Sequence, residues 1–298
     1  MSPADRERRP SDPSGLPDPA PLASPRNPRV VQLRKWIARP ERARRAGRLI
    51  VEGRHAAAEA LAAGCRLHLF VRCPGIQRPA EEAQLEARLS RAADEQIRVK
   101  KPLMESLTGD PSPSSWLTVW ERPAAPDYPP HPEEATSLLL GLVGVQDPGN
   151  TGSLIRSAAA LGAAGVVVYP GTADPYHPKV IRAASGGVFR MPLYAAPAGR
   201  AHRRLLDQLE RAGWTTVALA PRLEDEGAPP APTERPRVLL LGSEGQGLPH
   251  EIVTHCSERW SLPMAAGIES LGVAAAGAIA LYALRHGVRS AARGGASS

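Results

Sequence analysis

The sequence predicts an α/β chain of two domains, the second built on a parallel sheet covered on both faces, and three observations carry this. Beyond residue 137 come the apolar runs "SLLLGLVGV", "GVVVYPG", "WTTVALA" and "RVLLLGSEG", interleaved with helix candidates beginning near Thr151, Lys179 and Ala201. Continuous apolar strands alternating with helices define a doubly covered parallel sheet. Between Asn27 and Trp120 the pieces are smaller: helix-like "NPRVVQLRKWIARPERARRAG", β-rich "RLIVEG", helix-like "RHAAAEALAAG", β-rich "LHLFVRC". Between the two regions, "ERPAAPDYPPHPEE" has no apolar periodicity and reads as an unpacked linker. The expected organisation is a disordered tail over 1–27, a small α/β domain over 28–120, a Pro-rich linker over 121–136, the larger domain over 137–290 and a flexible tail over 291–298.

A chain of 298 residues with 42% apolar and 22% charged residues has the balance of a globular protein. Lys plus Arg number 37 against 30 Asp plus Glu, a net charge of +7 that favours a polyanionic partner. Cys65, Cys73 and Cys256 are odd in number and widely scattered, which argues against a disulfide framework or a zinc site and for a reducing cytoplasm. The first 28 residues have no apolar h-region, so no signal peptide is read there. The apolar segment Leu271 to Leu284 falls short of the roughly 20 residues a bilayer requires and is expected to be a buried helix. The Pro-rich stretch Glu224 to Pro236 reads as a long surface loop.

Three stretches of the second domain carry chemistry. "DPGNTGSLIR" occupies the turn after the first strand, where parallel sheets bind ligands. It has neither of the common phosphate-loop patterns, G-x-G-x-x-G or G-x-x-x-x-G-K-[ST]. It has N-x-G-x-x-x-R instead, with Arg156 one helical turn beyond Gly152 and able to grip a phosphate; equally, Asn150 could be an N-cap and Arg156 a solvated helix residue. "LLLGSEGQGLP" then sets Gly242, Gly245 and Gly247 around Glu244 directly after a buried strand, which permits close backbone approach to a ligand. "LPMAAGIESLGVAAAGAIALYAL" gives a Pro-terminated strand, a loop, and a helix opening near Ser270.

In this order the three stretches resemble the motifs of the SpoU (TrmH) branch of the SPOUT RNA methyltransferases, and "ADPYHPKVIRAASGGVF" resembles the family's continuation between them. The N-terminal "NPRVVQLRKWIARPERARRAGRLIVEGRHAAAEAL" is similar, more loosely, to the ribosomal-protein-like RNA-binding domain that precedes many such domains. The resemblance implies a deep trefoil knot, which the general rule against knotted chains would not predict. It also implies an S-adenosylmethionine cofactor, an obligate homodimer, and transfer of a methyl group to a ribose 2′-hydroxyl. Carried onto this sequence, Arg156 would sit at the acceptor ribose and phosphate, Asn150 and Glu244 would orient it and the substrate, and Ser270 would complete the site. A guanidinium is a reluctant base, so activation and positioning are the expected role of Arg156, with deprotonation as the family-level alternative. Gly242, Leu262, Met264, Gly267 and Leu271 would hold the cofactor. No metal is expected: His177, His250 and His255 are too dispersed for a ligand cluster. One departure stands out. The family's third motif reads S-L-N where this chain has Ser270, Leu271 and Gly272.

Arg29, Arg34, Lys35, Arg39, Arg42, Arg44, Arg45 and Arg48 crowd the first helical segment with Trp36 among them. Arg34, Lys35, Arg42, Arg44 and Arg45 are the expected RNA-binding set, weighed against a solvated basic face with Trp36 in the core. The two-domain layout resembles large-subunit enzymes, so 23S ribosomal RNA is the expected substrate, with transfer RNA, a non-catalytic RNA-binding protein and a dinucleotide-dependent oxidoreductase as alternatives. The last lacks its glycine fingerprint and the acid that would bind the ribose.

Overall fold

The computed structural model describes residues 24–74, 82–112, 116–133, 137–220, 235–265 and 270–286. The predicted C-terminal tail, nearly all of the N-terminal tail, most of the Pro-rich loop and Gly267 lie outside the described residues. The chain divides into two compact units, Met1–Arg122 and Pro123–Ser298.

The first unit contains α1 (Pro28–Ala38), α2 (Pro40–Arg45), β1 (Arg48–Glu52), α3 (Arg54–Ala62), β2 (Leu67–Arg72), α4 (Glu82–Ala92), β3 (Ala93–Arg98), α5 (Lys101–Thr108) and β4 (Trp116–Glu121). Its four strands lie in the order β1-β4-β2-β3, with β4 antiparallel to both neighbours and β2 parallel to β3. The basic segment expected to be one helix is two. Arg39 precedes Pro40, whose ring disfavours helical backbone at the residue before it, and Arg39 takes φ −139, ψ 80. Asn27 caps α1 by accepting from the Arg29 amide. Leu33, Val71, Met104 and Val119 form the core, and Trp36 packs half-buried against it.

The second unit contains β5 (Leu138–Leu142), α6 (Pro148–Ala160), β6 (Gly165–Val168), α7 (Pro178–Ala183), a 3-10 turn (Gly187–Phe189), β7 (Leu193–Ala195), α8 (His202–Arg211), β8 (Thr215–Leu219), β9 (Arg237–Leu241), α9 (His250–His255), β10 (Glu258–Trp260) and α10 (Val273–His286). The sheet order is β10-β8-β9-β5-β6-β7 and every pair is parallel. Burial on both faces explains the uninterrupted apolar runs, since β5 and β9 are buried at every position. Leu205, Leu206 and Leu209 of α8 and Ile252 of α9 pack with Val167, Val238 and Leu240. α6 and α10 pack together and both contact β5.

The proline-rich segment is packed where the sequence predicts a free linker. From Pro123 onward it belongs to the second unit. Tyr128 sits against the core and donates from its hydroxyl to the Leu205 carbonyl at 2.7 Å, and Trp214 Nε1 donates to the Pro130 carbonyl at 2.8 Å. Burial pushes the Tyr128 phenol up to about 12. Prolines have no periodic pattern to advertise such packing; a single aromatic and two hydrogen bonds supply it.

Candidate active site

The carboxyl ends of β5, β8 and β9 open into one cleft of about 1550 Å3, lined by Val143, Gly144, Leu219, Ala220, Leu241 and Gly242 among others. Ligands of parallel sheets bind at this end of the strands. Single small-molecule sites run to roughly 300–1,000 Å3, so this cleft has room for a nucleoside cofactor and part of a second nucleotide.

The first motif forms the entry to α6, and its local chemistry differs from the sequence expectation in two ways. The helix begins at Pro148, not near Thr151, because Asp147 is the N-cap: its carboxylate accepts from the Asn150 amide at 2.8 Å, and Pro148 occupies the first turn where no amide is needed. With capping done by Asp147, the Asn150 side chain is free to reach across the cleft and donate from Nδ2 to Glu244 Oε1. Gly152 is a helix-packing residue. A Cβ there would lie 2.5 Å from Ala183 Cβ and 2.7 Å from the Val180 carbonyl oxygen.

The second motif is a tight loop after β9, closed by hydrogen bonds in both directions between Ser243 and Gly247. Gly242, which lines the cleft, is also where the chain closes on itself: a Cβ there would lie 2.0 Å from the Gly247 carbonyl carbon. Gly247 supplies the left-handed turn at φ +66. The fold-back presents Glu244 to the cleft and to Asn150.

From the third motif, Leu262, Met264, Ser270, Leu271 and Gly272 all line the cleft, and α10 opens at Val273, three residues after the expected position. Gly272 stands before the helix, and its carbonyl accepts the bond from Ala276. Glycine is tolerated in that position, and asparagine improves on it by a few tenths of a kcal/mol. A Cβ on Gly272 meets nothing within 4 Å. Gly272→Asn should therefore fold normally and raise Tm by about 1 °C, since 1 kcal/mol moves a domain of this size by about 2–4 °C. A fall of several degrees in thermal unfolding would contradict this.

Arg156 is not gathered with the rest. It is exposed on α6, roughly 9 Å along the axis from Asn150, does not line the cleft, and makes no hydrogen bond or ion pair with a described residue. Within this chain Asn150 and Glu244 pair with each other, and neither makes a hydrogen bond or ion pair with Arg156. Sequence reasoning also passed over Gln146, Leu219, Ala220, His202 and His250, which line the cleft. Leu219 and Ala220 were discoverable at the end of an apolar strand; His202 reaches the wall only through the path of α8.

The wall chemistry fits a sulfonium cofactor. Leu219, Leu241, Leu248, Leu262 and Met264 offer apolar surface to a base, and among the described lining residues Glu244 is the single carboxylate, with no Lys or Arg to repel a cation. Among the described residues, no group of three or more His, Cys, Asp or Glu could hold a metal ion. No helix of the described residues is long and apolar enough to cross a membrane.

In the first unit, the predicted basic set divides by exposure. Lys35, Arg42, Arg44 and Arg45 are exposed, whereas Arg34 is half-buried and donates to Ser106 Oγ at 2.9 Å. Arg29 is paired with Glu95 at 2.7 Å. Arg34 is therefore tied to α5, because α1 packs on that helix.

A parallel-sheet domain with a strand-end cleft, an Asn–Glu pair across it and an apolar wall suits a nucleotide-cofactor transferase. Residues 137–282 match the SpoU rRNA Methylase family, and residues 27–118 match the MRM3-like substrate binding domain. An uncharacterized tRNA/rRNA methyltransferase of Mycobacterium ulcerans is 30% identical over 89% of this chain and 86% of its own length. A 23S rRNA (guanosine(2553)-2′-O)-methyltransferase of Bacillus subtilis is 34% identical over 54% of this chain and 64% of its own. The crystal structure of an AdoMet-bound rRNA methyltransferase from Sinorhizobium meliloti superposes with a TM-score of 0.77 and 26% identity, over 89% of this chain and 97% of that one. The chain belongs to the SpoU rRNA methylase family.

Proposed function

We propose that this protein methylates a ribose 2′-hydroxyl of structured RNA, with 23S ribosomal RNA as the substrate and S-adenosylmethionine as the methyl donor. The observation that carries this reading is the Asn150–Glu244 hydrogen bond, which joins the first and second SpoU motifs across a strand-end cleft. When bound, the cofactor supplies an electrophilic methyl group on a sulfonium. Leu262, Met264 and Leu271 would enclose its base, and Glu244 would face its positive charge. Asn150 gives its amide to Glu244, and its Oδ1 would accept from the incoming hydroxyl. Ser270, which also lines the cleft, would fix the ribose. An in-line displacement then depends on alignment, which this rigid pair provides.

Arg156 would hold the acceptor phosphate and favour the developing alkoxide, a task that suits a permanently charged fork better than proton abstraction does. Because it stands outside its own cleft, we assign it to the cleft of a second copy. The homodimer this requires is supported by α10, where Ala275, Ile279, Tyr282 and His286 are exposed in one helical stripe, Ile279 to 48% and Tyr282 to 55%. The tight Gly242–Gly247 fold-back and the parallel order of β8, β9 and β5 are compatible with the trefoil knot that the family likeness implies. Lys35, Arg42, Arg44 and Arg45 of the first unit would grip substrate phosphates. Cys65, Cys73 and Cys256 form no disulfide, and we place the protein in the cytoplasm.

The test is a map of 2′-O-methylated positions in total RNA from cells with and without the gene. One 23S position should lose its methyl group in the deletion strain. Loss confined to transfer RNA would replace the substrate while keeping the chemistry, and an unchanged map would defeat the enzyme reading.

A further inference from the structure

The continuation "ADPYHPKVIRAASGGVFR" has no role in the site described above, yet its charge is one-sided. From Pro148 to Leu206 there are seven Lys or Arg and a single acid, Asp174, whose Oδ1 accepts from the Tyr176 amide. α6, α7 and the 3-10 turn carry no carboxylate at all, while Arg156, Lys179, Arg182 and Arg190 are exposed.

We propose that this face is a phosphate track, on which Arg156, Lys179, Arg182 and Arg190 bind neighbouring phosphates of the RNA strand that carries the acceptor nucleotide. The proposal rests on the RNA methyltransferase reading and adds a substrate surface on the methyltransferase unit itself. Packing makes the track rigid. Gly152 lets α7 come against α6 at Ala183 and Val180, and these neighbours place Arg182 beside the contact line. Lys179 and Arg182, three residues apart, share the outer face of α7 while Val180 and Ile181 are buried inside. The chain then reverses through Ser185 at φ +50 and Gly186 at φ +81, a pair of left-handed residues of which Ser185 is one that L side chains rarely supply. That reversal lays the 3-10 turn beneath the arginine of α6: a Cβ on Gly187 would be 3.5 Å from Arg156 Cα, and Arg190 caps the turn. The other three cations thus stand on elements packed against the helix that carries Arg156. They would take phosphates neighbouring the one it holds.

Phosphate contacts release counterions, so the salt dependence of binding counts them. The probe is a fluorescein-labelled single-stranded RNA of about 20 nucleotides, titrated against the full chain between roughly 50 and 200 mM KCl. Lys179→Ala/Arg182→Ala/Arg190→Ala should lower affinity at least about tenfold and reduce the slope of log affinity against log salt by about 2, at roughly 0.7 per contact on a single strand. S-adenosylmethionine affinity should not change. Should the triple variant lose cofactor binding, its fold is lost, and Lys179→Glu, a lone change on an exposed side chain, decides with an expected loss of at least about 0.7 in slope. Arg42→Glu/Arg44→Glu/Arg45→Glu serves as the comparison and should weaken RNA binding in the first unit alone. An unchanged slope in both track variants, while the wild type methylates RNA, overturns the track. The predicted slope change in the track variants, beside a wild type that binds the probe but methylates nothing, overturns the enzyme reading and leaves the track standing; a wild type that binds no RNA overturns both.

Discussion

Arg156→Ala should cut single-turnover methylation about 10²- to 10⁴-fold, the range for losing a group that stabilises charge or assists proton loss in the transition state. Neither stability nor cofactor affinity should follow it. The side chain is exposed, touches no described partner and lies outside the cleft, so its loss falls within the roughly ±0.5 kcal/mol of a surface substitution. Thermal unfolding and cofactor titration check those two statements, and undiminished single-turnover methylation would remove Arg156 from the mechanism. The same variant tests the dimer. Mixed with Gly242→Ala protomers it should recover roughly a quarter of wild-type activity, because half the dimers are then mixed and each of these holds one complete site. Mixing that restores nothing would return Arg156 to its own cleft.

Gly242→Ala is the second large effect. The new methyl group would meet the Gly247 carbonyl carbon and oxygen at 2.0 and 2.1 Å and the Leu248 amide nitrogen at 2.2 Å, all of them backbone, so no rotamer can relieve it. The Ser243–Gly247 loop must open, and it carries Glu244. Overpacking of this kind costs about 1–3 kcal/mol, equivalent to about a 5- to 150-fold loss if expressed in cofactor affinity. Isothermal titration should register that loss, with Asn150→Ala as a milder comparison that removes the partner of Glu244 and leaves the loop closed. Wild-type cofactor affinity in Gly242→Ala would show that the fold-back does not shape the cofactor site.

Much of the second unit was legible because its physics is local. Strands buried on both faces must be apolar throughout, so β5, β6, β8 and β9 announce themselves in "SLLLGLVGV", "GVVVYPG", "WTTVALA" and "RVLLLGSEG". The first unit was legible as α/β for the same reason, although Pro40 divides its basic helix. The strap around Tyr128 was not legible, since its hold on the second unit is two long-range hydrogen bonds and one aromatic contact with no periodicity. Within the motifs, the residue types were legible and the reasons for them were not. Gly242 lines the cleft, yet the crowding that demands glycine there and at Gly152 comes from the protein's own backbone and side chains.

By itself, then, the sequence determined the two-unit α/β organisation and singled out the strand-end residues Asn150, Glu244, Leu262, Met264, Ser270 and Leu271 that line the cleft. Only the tertiary structure decided that Asp147 caps α6 and so releases Asn150 to Glu244, that Arg34 is held by Ser106, and that Arg156 does not line the cleft. The division has one physical cause. Burial and helix or strand period act between near neighbours and leave their mark in the order of residues, whereas Asn150 and Glu244 stand 94 residues apart and meet only where two parallel strands end side by side.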